Sequence, residues 1–335
     1  MNGDRVAQLD VSLSAVIVSR LPLHYHDGGD PSLDRPAHVR AASSAAWIGE
    51  CIALVQDDAN FVAMLQPRDG TIRAIALPAG EGGVRLFDDS RGNKKFKLDL
   101  EACAAIVGES GPQLLAFGSG SRKRRRRIAT VLGLDGAAPE AVVHDATSLY
   151  ERLEQEERFA GSDMNLEGAL AVGDMLRLFG RGNGQARRGL LPLNATCDLP
   201  LSELFAFLAN PERARAPEPR DVVRYALGAI NGISLGFTDA ALLGEHMLYT
   251  AAAEASEDAS EDGAVGGSAL GVIAPDGTVR YALLHDANGR LLPDKVEGIV
   301  VIPGSHQRAY IVIDQDDATR PSELCEVELR GSWSD

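Results

Sequence analysis

Two stretches of this chain are near copies in outline, Asn165-Leu166-Glu167-Gly168-Ala169-Leu170-Ala171-Val172 and Lys295-Val296-Glu297-Gly298-Ile299-Val300-Val301-Ile302. Each opens an apolar run with Glu-Gly, turns, and returns on a second apolar run, Met175–Phe179 in one and Ala309–Ile313 in the other. Three further segments share the shape. Leu100-Glu101-Ala102-Cys103 leads to Gln113–Gly118, Ile230-Asn231-Gly232-Ile233 leads through a longer loop to His246–Thr250, and Ser43-Ser44-Ala45-Ala46 leads to Cys51–Gln56. Aligned on their turns, the anchors are Ser43, Glu101, Glu167, Asn231 and Glu297, spaced by 58, 66, 64 and 66 residues. A recurrence of that length marks units that cannot bury their apolar faces alone and must pack against one another.

The units continue with third and fourth strand candidates. In the first these are Val62–Gln66 and Thr71–Leu77, split by the turn Arg68-Asp69-Gly70; in the fourth they are Ala269–Ala274 and Val279–Leu284, split by Pro275-Asp276-Gly277. Four short antiparallel strands per unit is a propeller blade. The fold expected is therefore all-β, a single β-propeller over 1–335, with five blades and six as the runner-up count. The last unit runs out of chain after three strands. The apolar stretch Ser12–Arg20 would complete it and close the ring, hiding an open sheet edge. Ser148–Arg158 reads as helix-prone. Leu201–Asn210 has helical apolar spacing and stops before Pro211, so 196–222 reads as an inserted helix and loop. The acidic, Ser-rich stretch 255–267 reads as a mobile loop.

Composition narrows the partners. The formal net charge of −15 repels phosphate backbones and anionic lipid, so neither nucleic acid nor membrane is an expected partner. The local exception is the run Arg122-Lys123-Arg124-Arg125-Arg126-Arg127, most of which reads as solvated edge charge. The four cysteines, at 51, 103, 197 and 325, show no Cys-x-x-Cys spacing and read as reduced, mostly buried thiols. The Met1-Asn2-Gly3-Asp4-Arg5 start lacks a signal-peptide pattern, and no apolar run is long enough to span a bilayer; a cytoplasmic location is expected.

Anchors at the start of each inner strand converge on the propeller axis. Glu101, Glu167 and Glu297 would meet there with the Asn231 amide and the Ser43 hydroxyl. Carboxylates so close repel, and a hard divalent cation, Ca²⁺ or Mg²⁺, relieves the repulsion with oxygen ligands alone. Hydrogen bonding to the inner backbone and to water is the plainer role. The second strand returns to the same rim, so its following loop borders the ring. Those loops carry Asp57 and Asp58, Ser119 and Arg122, Arg181 and Asn183, and Asp314 and Asp316. In a catalytic reading the four aspartates position water, and Ser119, Arg122, Arg181 and Asn183 bind an anionic small molecule. Ordinary turn chemistry accounts for any one such loop by itself. There is no phosphate loop and no Gly-x-Ser-x-Gly elbow. His24 and His26 have no obvious third ligand.

The Glu-Gly strand starts, and Lys295-Val296-Glu297-Gly298 with Ile313-Asp314-Gln315-Asp316-Asp317, resemble the phytase-like (esterase-like) β-propellers. Gly-Ser-Gly-Ser-Arg-Lys at 118–123 followed by Asn-Leu-Glu-Gly at 165–168 resembles bacterial propellers with no assigned activity. A more distant similarity is to the calcium-activated nucleotidases (apyrases). That resemblance implies five blades and a central Ca²⁺ held by one hydroxyl or carboxylate per blade. Ser43, Glu101, Glu167 and Glu297 match in type and order. Asn231 departs, since a hydroxyl is expected there, and Ser234 lies nearby. Together these imply a Ca²⁺-dependent hydrolase of phosphorylated or ester small molecules, the alternative being a non-enzymatic binding or scaffold propeller with a structural metal or none.

Overall fold

A computed structural model describes residues 4–108, 111–134, 138–187, 189–255 and 263–334. Short β-rich segments separated by Gly-centred turns give, in chain order, β1 (Arg5–Val6), β2 (Gln8–Leu9), β3 (Ser14–Pro22), β4 (Ala42–Ile48), β5 (Cys51–Gln56), β6 (Phe61–Gln66), β7 (Thr71–Ala76), β8 (Leu100–Gly108), β9 (Gly111–Gly118), β10 (Arg127–Leu132) and β11 (Glu140–Asp145). The helices α1 (Thr147–Gln155) and α2 (Glu157–Ala160) come next. Then follow β12 (Leu166–Val172), β13 (Met175–Gly180), β14 (Asn194–Pro200), helix α3 (Leu201–Ala209), β15 (Arg220–Ala226), β16 (Ala229–Ile230), β17 (Ile233–Leu243), β18 (His246–Ala255), β19 (Ala264–Ile273), β20 (Val279–His285), β21 (Val296–Val301), β22 (Arg308–Ile313) and β23 (Glu323–Arg330).

Hydrogen bonding arranges these as antiparallel four-strand units: β4–β7, β8–β11, β12–β15, β17–β20, and β21–β23 completed by β3. Counting separate sheets gives four, because the end of β20 pairs for two residues in parallel with β3 and fuses the last two units. Counting inner strands gives five. β4, β8, β12, β17 and β21 pack side by side in that cyclic order, with β21 returning to β4. The all-β propeller expected from the repeat is the architecture observed.

Apart from a small cluster of Ala59, Phe61 and Leu86 in the first unit, the apolar clusters lie between neighbours: Ala46, Val55, Leu114 and Val131 between the first and second units, and Leu115, Leu166, Leu178 and Cys197 between the second and third. Phe179, Phe237 and Tyr249 fill the next interface, Leu248, Leu284, Ile299 and Ile311 the one after, and Ile52, Leu54, Val300 and Val312 close the circuit. Burying one such side chain contributes roughly 1.5–3 kcal/mol, so the ring holds only when every neighbour is in place.

The N-terminal chain does more than close the last unit. β3 pairs along its length with β23 as expected, while β1 adds in parallel to β15 and β2 to β20. The stretch read as 196–222 is narrower in kind than expected. Asn194–Pro200 and Arg220–Ala226 are the third and fourth strands of their unit, and only the connection between them carries α3. Leu204, Phe207 and Leu208 of α3 and Leu149, Tyr150 and Leu153 of α1 cover the outer end of the second-to-third interface. Of 255–267, residues 256–262 lie outside the described residues.

Candidate functional site

The five inner strands share an irregularity. Each pairs with its second strand in regular antiparallel register, except for one skipped residue, second in four of the strands and midway along β17: Ser43, Glu101, Glu167, Thr238 and Glu297. A bulge adds local twist and re-aims the extra side chain. Four of these positions are anchors read from the sequence. The fourth unit differs, and Asn231 is corrected to Thr238. Asn231 and Gly232 form the exposed two-residue turn between β16 and β17, both with positive φ (52° and 83°), a turn that Asn-Gly suits by its tolerance of that conformation. Thr238 is fully buried and donates its hydroxyl to Thr250 Oγ1 at 2.9 Å.

The residue after each bulge faces a crowded axis. It is Ser44, Ala102, Gly168, Asp239 or Gly298. A Cβ at Gly168 would lie 3.3 Å from the Asp239 Cα, and one at Gly298 would lie 3.2 Å from Ser44 backbone atoms. That is the physical reason for Glu-Gly: the carboxylate sits on the bulge and the glycine lets strands meet. Asp239, fully buried, ties three units together. Its Oδ2 accepts from the Ser44 hydroxyl at 3.1 Å and from the backbone N–H groups of Ala45 (3.4 Å) and Ile299 (3.1 Å). Burial holds its carboxyl well above the usual range, the backbone and Ser44 donors opposing only in part.

Above the bulges two charge networks fill the mouth. In the first, Lys97 Nζ lies 2.5 Å from Asp57 and 2.7 Å from Asp99, and Arg125 reaches Asp99 at 3.0 Å. The Ser119 hydroxyl donates to Asp99 as well. In the second, Arg181 spans Glu167 (3.3 Å) and Glu254 (2.5 Å), while Lys295 meets Glu297 at 2.7 Å and Glu254 at 3.6 Å. Asn165 donates to Glu167 at 2.6 Å and to Asn183 at 3.3 Å. Burial would depress the Lys97 ammonium, but Asp57, Asp99 and Glu101 outweigh it and hold it charged; Glu167 and Glu254 do the same for Arg181.

The carboxylates respond unequally. Burial pushes Asp99 up, but Lys97 and Arg125 more than cancel it and its pKa falls. Glu101 is raised well above the ordinary value by burial and then by Asp57, Asp99 and Glu167. Burial carries Asp57 to about 7 against the pull of Lys97, and Glu297 to about 8 against that of Lys295. Among the described residues, six carboxylates (Asp57, Asp99, Glu101, Glu167, Glu254, Glu297) face four cations (Lys97, Arg125, Arg181, Lys295), a surplus of two negative charges. Two protons or one divalent cation would balance it. Oxygen atoms of Asp57, Asp99 and Glu101 lie within 4.8 Å of one another, and Glu297 Oε2 is buried without a hydrogen bond. An all-oxygen donor set of this kind fits a hard cation. Lys97 already occupies the space between two of the three ligands, so a metal there would displace it.

Beside the mouth, between the first and last units, is a cavity of about 270 Å³ lined by Asp57, Asp58, Asp88, Asp314 and Asp316 among others. Arg40 crosses its floor to Asp58 and Asp88. Asp314 accepts from the Ala41 N–H at 3.1 Å and is pushed up to about 6 by burial and by Asp316 and Asp58. Thus Asp57, Asp58, Asp314 and Asp316 do line one cavity. The residues read as anion-binding are placed differently. Arg181 is buried with its charge committed to two glutamates, Ser119 is buried against Asp99, Asn183 is half-buried, and Arg122 is exposed. In the basic run it is Arg125, not Arg122, that turns into the mouth. Sequence reading missed Lys97, Asp99, Arg40, Lys295 and Asp239. The one signal within reach was Lys-x-Asp-x-Glu at 97–101 and Lys-x-Glu at 295–297, a cation two residues from a carboxylate where the chain enters an inner strand.

The far end of the same channel is apolar. About 240 Å³ is lined there by Ala45, Trp47, Cys103, Ala169, Ala240, Ile299 and their neighbours on the five inner strands. Among the described residues no helix is long and apolar enough to cross a membrane. The four cysteines are free thiols, Cys51 half-buried and the others buried.

Solved structures match in fold. The β-1,3-galactosidase BT0265 of glycoside hydrolase family 43 aligns with a TM-score of 0.51 at 10% identity, covering 91% of this chain and 58% of that one. A streptogramin B lyase aligns at 0.39 and 9% identity (93% and 98% covered), and the β-propeller domain of Cps50 (Swd1) from Myceliophthora thermophila at 0.35 and 9% (86% and 96%). No curated protein matches the sequence significantly. A model of a family of unknown function, DUF6929, matches residues 38–329.

Proposed function

The chain belongs to the DUF6929 family of unknown function, and from that premise we propose that its channel mouth binds a divalent cation, Ca²⁺ or Mg²⁺, and uses it to hold an anionic small molecule for hydrolysis. The observation that carries this reading is the surplus of two negative charges beside three convergent carboxylates, Asp57, Asp99 and Glu101. A bound cation would neutralise a phosphate or ester oxygen and polarise water. The chain's own residues supply the rest. Asp57, Asp99 and Glu101 bind, and Ser119 and Arg125 fix the orientation of Asp99. Asp314, in the adjoining cavity and poised at about 6, can take up or release a proton near neutral pH. Ser43, Thr238 and Glu167 would border the cation from the remaining inner strands. An anion would approach past Arg122, which is exposed at the rim, whereas Arg181 is buried between two glutamates.

A second reading is favoured by one observation. Lys97 sits between Asp57 and Asp99 as a counter-ion built into the chain, which makes a binding or scaffold propeller with no metal self-sufficient. Calorimetric titration with Ca²⁺ and Mg²⁺, metal analysis, and melting with and without chelator separate the two. The cation reading expects a melting temperature that rises with metal and does not rise in Asp57→Asn or Glu101→Gln. It also expects metal-dependent turnover of p-nitrophenyl phosphate or an acyl ester. Metal binding without turnover leaves a cation-holding scaffold; no metal and an unmoved melting temperature remove the site.

A further inference from the structure

The basic run divides in two. Arg125, Arg126 and Arg127 pair with Asp99, Glu154 and Asp145 at 3.0, 2.9 and 3.1 Å. Lys123 and Arg124 lie on the exposed side of the turn, with Arg122 exposed beside them. That turn is seated on β9 because Gly118 has no side chain: a Cβ there would lie 2.0 Å from the Arg125 carbonyl oxygen. A second loop is pinned to the same carboxylate, since Lys97 also binds Asp99. The two loops are therefore held in one register, with Lys97 and Arg125 turned inward and the residue before each, Phe96 and Arg124, turned outward together. Arg124 stands 4.9 Å over the Phe96 ring and Lys95 stands 5.1 Å from it. Phe96 is 47% exposed, an unusual setting for a phenylalanine. Lys95, Lys123 and Arg124 form no ion pair with an acid among the described residues.

From this we infer that Lys95, Phe96, Lys123 and Arg124, with Arg122 at the border, form a docking surface for an acidic, partly apolar peptide segment of a protein partner. Cations held over an aromatic ring are already partly ordered, so a ligand gains their charge at a reduced entropic cost. Arginine and an exposed aromatic are the residue types that anchor protein interfaces. Nucleic acid fits less well. The ring's contacts are occupied by cations rather than open for base stacking, and the molecule's −15 charge, with the acidic mouth next door, repels a long uniform polyanion. A short segment with a few carboxylates and one aliphatic side chain spans the patch and stops there.

The test uses the full chain and a short fluorescein-labelled peptide of Asp and Glu with one central Leu, read by anisotropy. A Gly-Ser peptide, a single-stranded oligo-dT of the same length and phosphatidylserine vesicles serve as rivals. The acidic peptide binds, and weakens as salt rises from about 50 to about 300 mM, as an exposed charge patch requires. Lys123→Glu/Arg124→Glu reduces its affinity at least about tenfold, a change of about 1.4 kcal/mol. Phe96→Ala reduces affinity severalfold while the salt dependence persists. All four side chains are exposed or edge-placed, so melting temperatures stay near wild type; Lys95→Glu gives an independent single change should the double variant misfold. Absence of peptide binding, binding indifferent to these variants, or tighter binding of the oligonucleotide or the vesicles than of the peptide at equal salt overturns the inference.

Discussion

The two ends of the channel are made by the same five strands and could hardly differ more. At one end sit the bulged residues and their neighbours, among the described residues six carboxylates and four cations in two charge networks. At the other, Ala45, Ala169, Ala240, Ile299 and Trp47 line an apolar recess, and the only polar group of Trp47 is already donated to the Val301 carbonyl at 2.7 Å. The bulge separates them. Below it the inner strands pair regularly, and small residues let five strands crowd around the axis. At it, one extra residue per strand swings a side chain up into the mouth. The lesson is that chemistry here is placed by an interruption of the sheet rather than by the sheet itself, and each prediction probes that boundary.

The largest effect belongs to Asp239, the acidic residue that lies on the apolar side of its bulge. Asp239→Ala strands the N–H groups of Ala45 and Ile299 and the Ser44 hydroxyl in a dry axis. A loss of about 3–5 kcal/mol in denaturant unfolding is expected, within the range for breaking a buried polar network. Asp239→Asn keeps an acceptor of the same shape and costs far less, because burial already disfavours the charged form of the carboxyl. Equal losses in both variants would mean the charge, not the shape, holds the axis.

Next comes Lys97, where the two readings of the mouth diverge. Lys97→Met removes the cation between Asp57 and Asp99 and leaves two carboxylates facing each other. The metal-free protein loses about 2–4 kcal/mol. If the mouth is a cation site, the same variant binds Ca²⁺ more tightly, about tenfold or more, since the ion no longer competes with the ammonium; calorimetry reads this directly. Destabilisation with no gain in metal affinity favours the scaffold reading.

The pH dependence runs opposite to the common pattern. Glu297, at about 8, and Asp57, at about 7, keep protons in the folded state that the unfolded chain has already lost at neutral pH. Native protein thus binds more protons than unfolded protein between about pH 4.5 and 8. The stabilisation is fully present below that window and is lost as pH rises through it. Melting temperature should fall from pH 5 to 8.5, Glu297→Gln should flatten the upper part of the fall, and a bound divalent cation should restore it. A flat profile would mean that the counter-ions alone balance the mouth. At the apolar side of the boundary, Gly168→Ala pushes a methyl to 3.3 Å from the Asp239 Cα and should cost about 1–3 kcal/mol, as overpacked sites do.

How much of this could be read from the chain depended on where the interruption left a mark. In the third and fifth units, bulge and close approach fall on adjacent residues, Glu167-Gly168 and Glu297-Gly298, and the pair stands out in an apolar run. Ser43 and Glu101 follow by spacing. Thr238-Asp239 has no such mark, because Asp239 fills the axial space that glycine leaves open elsewhere. The fourth unit also carries a longer inner hairpin, β17 with 11 residues and β18 with 10, so a constant period lands seven residues early. Counter-ion roles were invisible for a different reason. Lys97 serves Asp57 of the unit before it and Arg181 serves Glu254 of the unit after it, so only the packing of neighbouring units reveals them; Arg181 was placed at the mouth, but as an anion binder. Arg125 was missed because a helical turn over Lys123–Arg125 rotates the run, so nearness to the glycine turn did not decide which arginine points inward.

The smallest effect tests that seven-residue difference. Asn231 occupies a left-handed turn position on the exposed rim, so Asn231→Gly should leave stability within about 0.5 kcal/mol, glycine accepting the same backbone. Metal affinity should be unchanged. Thr238→Val, nearly isosteric, removes the hydroxyl that donates to Thr250 and should cost about 1 kcal/mol, with a reduction in cation affinity if the fourth strand faces the ion. The contrast matters more than either number. Were Asn231→Gly to weaken the cation and Thr238→Val to leave it alone, the bulge would not be what aims side chains into the mouth. The period, rather than the pairing register, would then be the better guide to the site.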